Sequence, residues 1–190
     1  YDRNSLYDTL PMYQAIAESK NTSAVWLLDK LGIQRGISKL EDFGISIGEA
    51  DENLGAIALG GMSKGVTPVQ LASAYTTFVN EGVRTQARFI TKIVDATGAV
   101  IVDNTKPKTN RVTTAAVAEE MTSMLMGVYA DGGTGASAQP SNGMVIAGKT
   151  GTTELDRETG YIKSQWMVGY TPDLVVATWL GYDKTNEIYN

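Results

Sequence analysis

The segment N-G-M-V-I-A-G-K-T-G-T-T, residues 142–153, constrains the fold more than any other part of the chain. Its Gly143, Gly148, Lys149 and Thr150 satisfy G-x-x-x-x-G-K-[ST], the pattern of a phosphate-binding loop that follows a strand and opens a helix. Such a loop needs residues between its glycines that let successive backbone N–H groups turn inward around an anion, and a helix N-terminus facing it. Here the intervening Met144, Val145, Ile146 and Ala147 are a strand-forming run. Gly151 follows at once, then the polar, turn-like T-T-E-L-D-R-E-T-G-Y-I. The segment therefore reads as a strand, Met144 to Thr152, and a nucleotide-binding fold is set aside. Period-two alternation puts Lys149 and Gly151 on one face and Gly148, Thr150 and Thr152 on the other. Glycines at 148 and 151 would let a ligand or another backbone approach closely.

Neither cysteine nor histidine occurs among the 190 residues. That removes thiol nucleophiles, disulfides, zinc sites of the usual kind and every Ser-His triad. Acid–base work must fall to Lys, Asp, Glu, Tyr or hydroxyl side chains, and no metal or cofactor is expected. A net charge of -5 argues against a nucleic-acid partner. No apolar run approaches the roughly 18 residues that cross a membrane, and the opening Y-D-R-N-S-L-Y-D is polar.

Along the chain, helix signals come first. The spacing of Met12, Ile16 and Ala17 predicts a short helix. N-T-S-A-V-W-L-L-D-K-L-G begins on capping residues and ends on Gly32, and Q-R-G-I-S-K-L-E-D-F-G predicts a weaker helix closed by Gly44. Residues 45–65, rich in Gly and acids without clear periodicity, read as mostly loop. Thr67, Pro68 and Gln70 mark a capping box at the head of a helix that Gly82 follows. R-F-I-T-K-I-V-D-A-T-G-A-V-I-V-D-N predicts a hairpin turning from Asp95 to Gly98. A further helix presents Val117, Met121, Met124, Leu125 and Val128 on one face, and D-G-G-T-G-A-S-A-Q-P-S-N-G after it reads as loop. The chain ends on strands at Met144–Thr152, Gln165–Tyr170 and Leu174–Tyr182, the last two made antiparallel by a tight T-P-D turn. No linker or repeat divides the 190 residues, which form one α+β unit, an antiparallel sheet with helices packed on it.

Ser19-Lys20-Asn21 lies at a junction between helices, where Ser and Asn would ordinarily serve as caps. Its company gives it another meaning. K-T-G at 149–151 belongs, with S-x-N and S-x-x-K, to the serine enzymes that penicillin acylates. L-G-G-M-S-K-G-V-T-P-V-Q-L-A-S-A-Y-T-T-F-V-N-E-G, then I-T-K-I-V-D-A-T-G-A-V-I, then S-Q-W-M-V-G-Y-T-P-D-L-V-V-A-T-W-L-G-Y-D follow in order. Taken together, nearly the whole chain resembles the transpeptidase domain of class A penicillin-binding proteins. Ser164, Gln165 and Met167 depart from the acidic or aromatic residues often found there, and Trp166 and Tyr170 read as core or sheet-face residues.

The resemblance implies the fold of penicillin-binding transpeptidases and serine β-lactamases, incomplete in this chain. It implies peptidoglycan cross-linking through a serine acyl-enzyme, with stem peptides and β-lactams as partners. Ser19, Asn21 and Lys149 would be catalytic: Ser19 relaying a proton to the leaving amine, Asn21 holding the substrate amide and the catalytic lysine, Lys149 keeping the field positive. Thr150, Gly151 and Thr152 would bind substrate, the two hydroxyls taking its carboxylate and the Thr152 N–H serving as an oxyanion donor. No serine here has a lysine three positions later. The resemblance puts the nucleophile's S-x-x-K segment upstream of S-x-N, which would make residues 1–190 the C-terminal part of a transpeptidase domain, leaving apolar surface at Val25, Trp26 and Leu28 uncovered. A glycosyltransferase domain and membrane anchor are expected further upstream, placing the protein on the extracellular face of the bacterial cytoplasmic membrane. The alternative is a penicillin-recognising sensor or wall-binding module on the same fold. A serine β-lactamase is disfavoured because no E-x-x-L-N segment lies between Ser19 and Lys149.

Overall fold

Helices form where the caps and stops stand. A computed structural model of the chain describes residues 9–154 and 161–182; of the turn-like stretch expected at 152–162, residues 155–160 lie outside them, while 152–154 continue a strand and Ile162 begins the next. Helices α1 (Met12–Ala17), α2 (Asn21–Leu31) and α3 (Ile33–Asp42) occupy the first third. Gly32, at φ 91°, separates α2 from α3 in a backbone region that favours glycine. Against expectation Leu28 is buried at 8% exposure. The reason is Gly36 on α3, where an added Cβ would lie 2.5 Å from a Leu28 methyl carbon. Val25 is half-buried, and Trp26 is left 61% exposed, as expected.

Residues 45–65 are not all loop. They contain α4 (Leu54–Leu59), whose N-cap Asn53 accepts the Ala56 N–H at 2.9 Å and whose C-cap Gly60 is left-handed. Six residues are too few for apolar periodicity to register, although both caps were present in the sequence. Helix α5 (Pro68–Val79) carries the expected box: Thr67 Oγ1 accepts the Gln70 N–H, and Gln70 Oε1 accepts the Thr67 N–H.

Strand β1 (Val83–Thr85) leads to the expected hairpin, β2 (Lys92–Val94) and β3 (Val100–Asp103). Its turn is held by Asp95, whose Oδ1 accepts the Thr97 and Ala99 N–H groups. β4 (Thr109–Arg111) then returns to pair antiparallel with β1, a pairing the sequence reading did not contain. Helix α6 (Ala115–Met126) is capped by Thr114. Leu125 and, just beyond the helix, Val128 are buried as expected, but Val117 is 49% exposed and Ala118 takes the inward position at 1%.

The chain closes on a three-stranded antiparallel sheet in the order β5 (Ala147–Glu154), β6 (Ile162–Tyr170), β7 (Val175–Gly181). β5 starts three residues later than Met144. Ala147 pairs with Tyr170, the last residue of β6, so residues before it have no strand opposite them. The core lies between sheet and helices, where Leu125, Val128, Tyr129, Ala147 and Tyr170 cluster. Tyr170 sits in that core as expected, its hydroxyl 2.9 Å from Thr122 Oγ1. Because β6 takes the middle position, β5 is an edge of the sheet.

Candidate active site

Helix α1 ends in a way that creates one half of the site. The Ser19 N–H donates to the Ile16 carbonyl at 3.2 Å, and the Lys20 N–H donates to the Ala15 carbonyl at 2.9 Å. These are the paired bonds of a Schellman closure, which puts one residue in the left-handed region, usually a glycine. Here that residue is Ser19, at φ 54°. The serine caps no helix: Lys20 is the N-cap of α2, and no side-chain cap bond is made there.

The other half comes from the edge strand. Lys149 Nζ donates to Ser19 Oγ at 2.8 Å and to the Thr150 carbonyl at 3.0 Å. Cross-strand partners share a face of the sheet, and the partner of Lys149 is the buried Val168. Burial lowers the Lys149 pKa from its ordinary value, since an ammonium loses hydration there. The other nearby ammonium, Lys20, pairs at 2.9 Å with Glu18 and holds that carboxylate below its usual pKa, with help from Gln14.

The remaining expected residues are placed as follows. Thr150 Oγ1 lies 2.6 Å from Thr134 Oγ1. Gly151 backs onto Trp166, where an added Cβ would stand 3.3 Å from the Trp166 Cβ. Thr152 is exposed on β5. Asn21 opens α2 and is exposed, and no hydrogen bond joins its side chain to Ser19 or Lys149 among the described residues. Thr134 lies in a segment whose sequence predicts only loop; no local pattern marks it, because its contacts are with α1 and β5. Behind the site, the Tyr129 hydroxyl donates to the Val168 carbonyl at 2.7 Å and ties β6 to the end of α6.

A half-buried ammonium bonded to a serine hydroxyl at an open strand edge supplies a cation for a carboxylate and a hydroxyl for proton relay. The open edge offers backbone groups to an extended chain. Residues 1–187 match the Penicillin binding protein transpeptidase domain. The chain belongs to that family. Penicillin-binding protein 2a of Streptococcus pneumoniae is 43% identical over 178 residues, which is 94% of this chain and 24% of the relative. Penicillin-binding protein 1F of Bacillus subtilis is 42% identical over 176 residues, 93% of this chain and 24% of that one. The chain thus spans about a quarter of the length of these relatives, and they agree with the class A resemblance read from its motifs. Among solved structures, the penicillin-binding protein PonA1 of Mycobacterium tuberculosis matches with a TM-score of 0.76 at 27% identity, over 95% of this chain and half of that one. The D,D-transpeptidase domain of a peptidoglycan glycosyltransferase from Eggerthella lenta shares the fold, with a TM-score of 0.73 at 22% identity over 91% of this chain and 49% of that one. The penicillin-binding transpeptidase fold expected from the sequence is therefore the fold observed.

Proposed function

We propose that these residues are the C-terminal part of a D,D-transpeptidase that cross-links peptidoglycan stem peptides and is acylated by β-lactams. The observation that carries this reading is the hydrogen bond from Lys149 on the edge strand to Ser19 at the end of α1. A nucleophilic serine from an S-x-x-K segment outside the 190 residues gives its proton to the lysine of that segment and attacks the carbonyl of the penultimate D-Ala of a stem peptide, forming an ester as the bond to the terminal D-Ala breaks. Ser19 passes a proton to the departing D-Ala amine, drawing on its contact with the Lys149 ammonium. An amine of a neighbouring stem peptide then attacks the ester, gives up a proton by the same relay and frees the serine. Lys149 and the hydroxyls of Thr150 and Thr152 bind the terminal carboxylate, the Thr152 N–H faces the oxyanion, Gly151 leaves room for the peptide, and Asn21 holds its amide. This chemistry uses neither metal nor cofactor. In the intact protein a glycosyltransferase domain and a membrane anchor lie outside this chain, and the site faces the extracellular side of the cytoplasmic membrane. No helix among the described residues is long and apolar enough to cross a membrane.

The test is to give the intact protein a pentapeptide ending in D-Ala-D-Ala together with an amine acceptor, and to follow D-Ala release and the joined product by mass. Release with transfer is expected. Penicillin labelling without release would point to a sensor, and neither labelling nor release would overturn the reading.

A further inference from the structure

Thr134 stands outside every motif read from the sequence, yet it makes two of the contacts that hold the site together. Its backbone N–H donates to the Ala17 carbonyl at 3.1 Å, at the last residue of α1. Its hydroxyl lies 2.6 Å from the Thr150 hydroxyl on β5. With the Lys149–Ser19 bond these contacts close a ring: Ala17 leads through two residues to Ser19, Ser19 to Lys149, Lys149 to Thr150, Thr150 to Thr134, and Thr134 back to Ala17. Opening the ring at Thr134 leaves the Lys149–Ser19 bond unbraced on its far side, with α1 and β5 otherwise meeting through the packing of Ile16 on the core cluster that includes Ala147.

The loop that presents Thr134 is itself fixed. The Gly135 N–H donates to the Val128 carbonyl at 2.8 Å. At Gly133 an added Cβ would lie 2.3 Å from that same carbonyl oxygen, and at Gly135 one would lie 3.1 Å from the Tyr129 ring. The two glycines let the loop sit directly on the end of α6, so Thr134 is pinned from both sides.

We propose that Thr134 is a positioning residue for this site: it sets the separation of Ser19 and Lys149 and the direction of the Thr150 hydroxyl. The proposal rests on the transpeptidase reading of the site. Two hydroxyls that share one hydrogen bond use one of their two protons in it. With Thr134 as the donor, the Thr150 proton stays free for an acceptor in the cleft, such as a substrate carboxylate, and the Thr150 side chain is held in one orientation to meet it.

The experiment measures the acylation rate by a labelled penicillin, together with the melting temperature, in the intact protein carrying Thr134→Val, Thr134→Ser or Lys149→Ala. Valine keeps the shape and the backbone bond and removes the hydroxyl. Thr134→Val is expected to slow acylation about fivefold or more, the factor expected from one lost hydrogen bond. Its melting temperature should stay within about 4 °C of wild type. Thr134→Ser should restore most of the rate, which a purely structural role for the threonine methyl would not allow. If Thr134→Val fails to fold, Thr134→Ala carries the same comparison. A wild-type rate in Thr134→Val beside a slow Lys149→Ala would overturn the proposal and leave the site reading intact. So would Thr134→Ser being as slow as Thr134→Val. A wild-type rate in Lys149→Ala would overturn the site reading and this proposal with it.

Discussion

Lys149 reaches Ser19 across 130 residues of sequence, its ammonium 2.8 Å from the serine hydroxyl. Burial lowers the lysine's pKa from its ordinary 10.5, so the folded protein releases this proton at a lower pH than the unfolded chain does. Between the lowered value and about 10.5 the unfolded state holds more protons, and stability rises with pH across that window. Below the window the cost of the buried ammonium is fully present. Lys149→Met removes the titration. Urea unfolding of the intact protein and this variant at a series of pH values should show wild-type stability gaining on the variant as pH rises from neutral toward 10. A difference that stays flat would mean that Lys149 keeps its ordinary pKa.

Ser19 occupies a left-handed backbone position that glycine adopts without strain, and it contributes a side chain that glycine lacks. Ser19→Gly should therefore be at least as stable as wild type, while Ser19→Ala keeps the Cβ strain and should be about 1 kcal/mol less stable than Ser19→Gly. Both variants lose the hydroxyl that Lys149 contacts, and both should acylate slowly. Denaturant midpoints decide the stability order. An alanine variant more stable than the glycine variant would mean that the Schellman closure is not retained in solution.

Most of this architecture was legible in the sequence because its signals are local. Thr67, Pro68 and Gln70 fix the head of α5 within four residues, and the turn from Asp95 to Gly98 fixes the β2–β3 hairpin. The β1–β4 pair was not legible: Arg84 and Asn110 meet across 26 residues through strands only three residues long, and nothing local announces such a pairing. At the site, the K-T-G and S-x-N letters led to Lys149 and Ser19, but their plain reading made Ser19 a helix cap. What places its hydroxyl against Lys149 is the way α1 ends, a backbone conformation in which a serine is unusual. Thr134 could not be read at all, since its part depends on a loop being seated on α6 before it can touch β5.

Thr77 on α5 is fully buried, and its hydroxyl has no hydrogen-bond partner among the described residues. A buried hydroxyl without a partner costs its desolvation, and valine has nearly the same shape without that cost. Thr77→Val is expected to raise stability by about 1 kcal/mol, measured as a shift in the urea midpoint with an unchanged slope. A loss of stability would show that the hydroxyl has a partner in the intact protein.

The two glycines that flank Lys149 and Thr150 should differ sharply when replaced. At Gly148 an added Cβ would stand 1.9 Å from the Val168 carbonyl oxygen and 2.8 Å from its carbon. Those are backbone atoms of the paired strand, held also by the Tyr129 hydroxyl, so they cannot move aside without parting β5 from β6. At Gly151 the nearest atom is the Trp166 Cβ at 3.3 Å, a contact relieved by a few tenths of an ångström. Overpacking a site that cannot yield costs about 1–3 kcal/mol, and Gly148→Ala should fall at or above the upper end of that range. Gly151→Ala should cost less than about 1 kcal/mol, since strand propensity changes and a small shift are all it demands. Its effect should appear in function instead, because the new methyl stands on the sheet face that Gly151 shares with Lys149, where it would crowd a substrate bound beside the ammonium. Melting temperature and penicillin acylation, read on both variants of the intact protein, separate the two outcomes. Gly148→Ala should melt early, with acylation lost in proportion to the unfolded fraction, whereas Gly151→Ala should melt near wild type and acylate more slowly. Equal melting temperatures for the two variants would mean that β6 yields at Val168, and that the β5–β6 pairing behind Lys149 is looser than its contacts require.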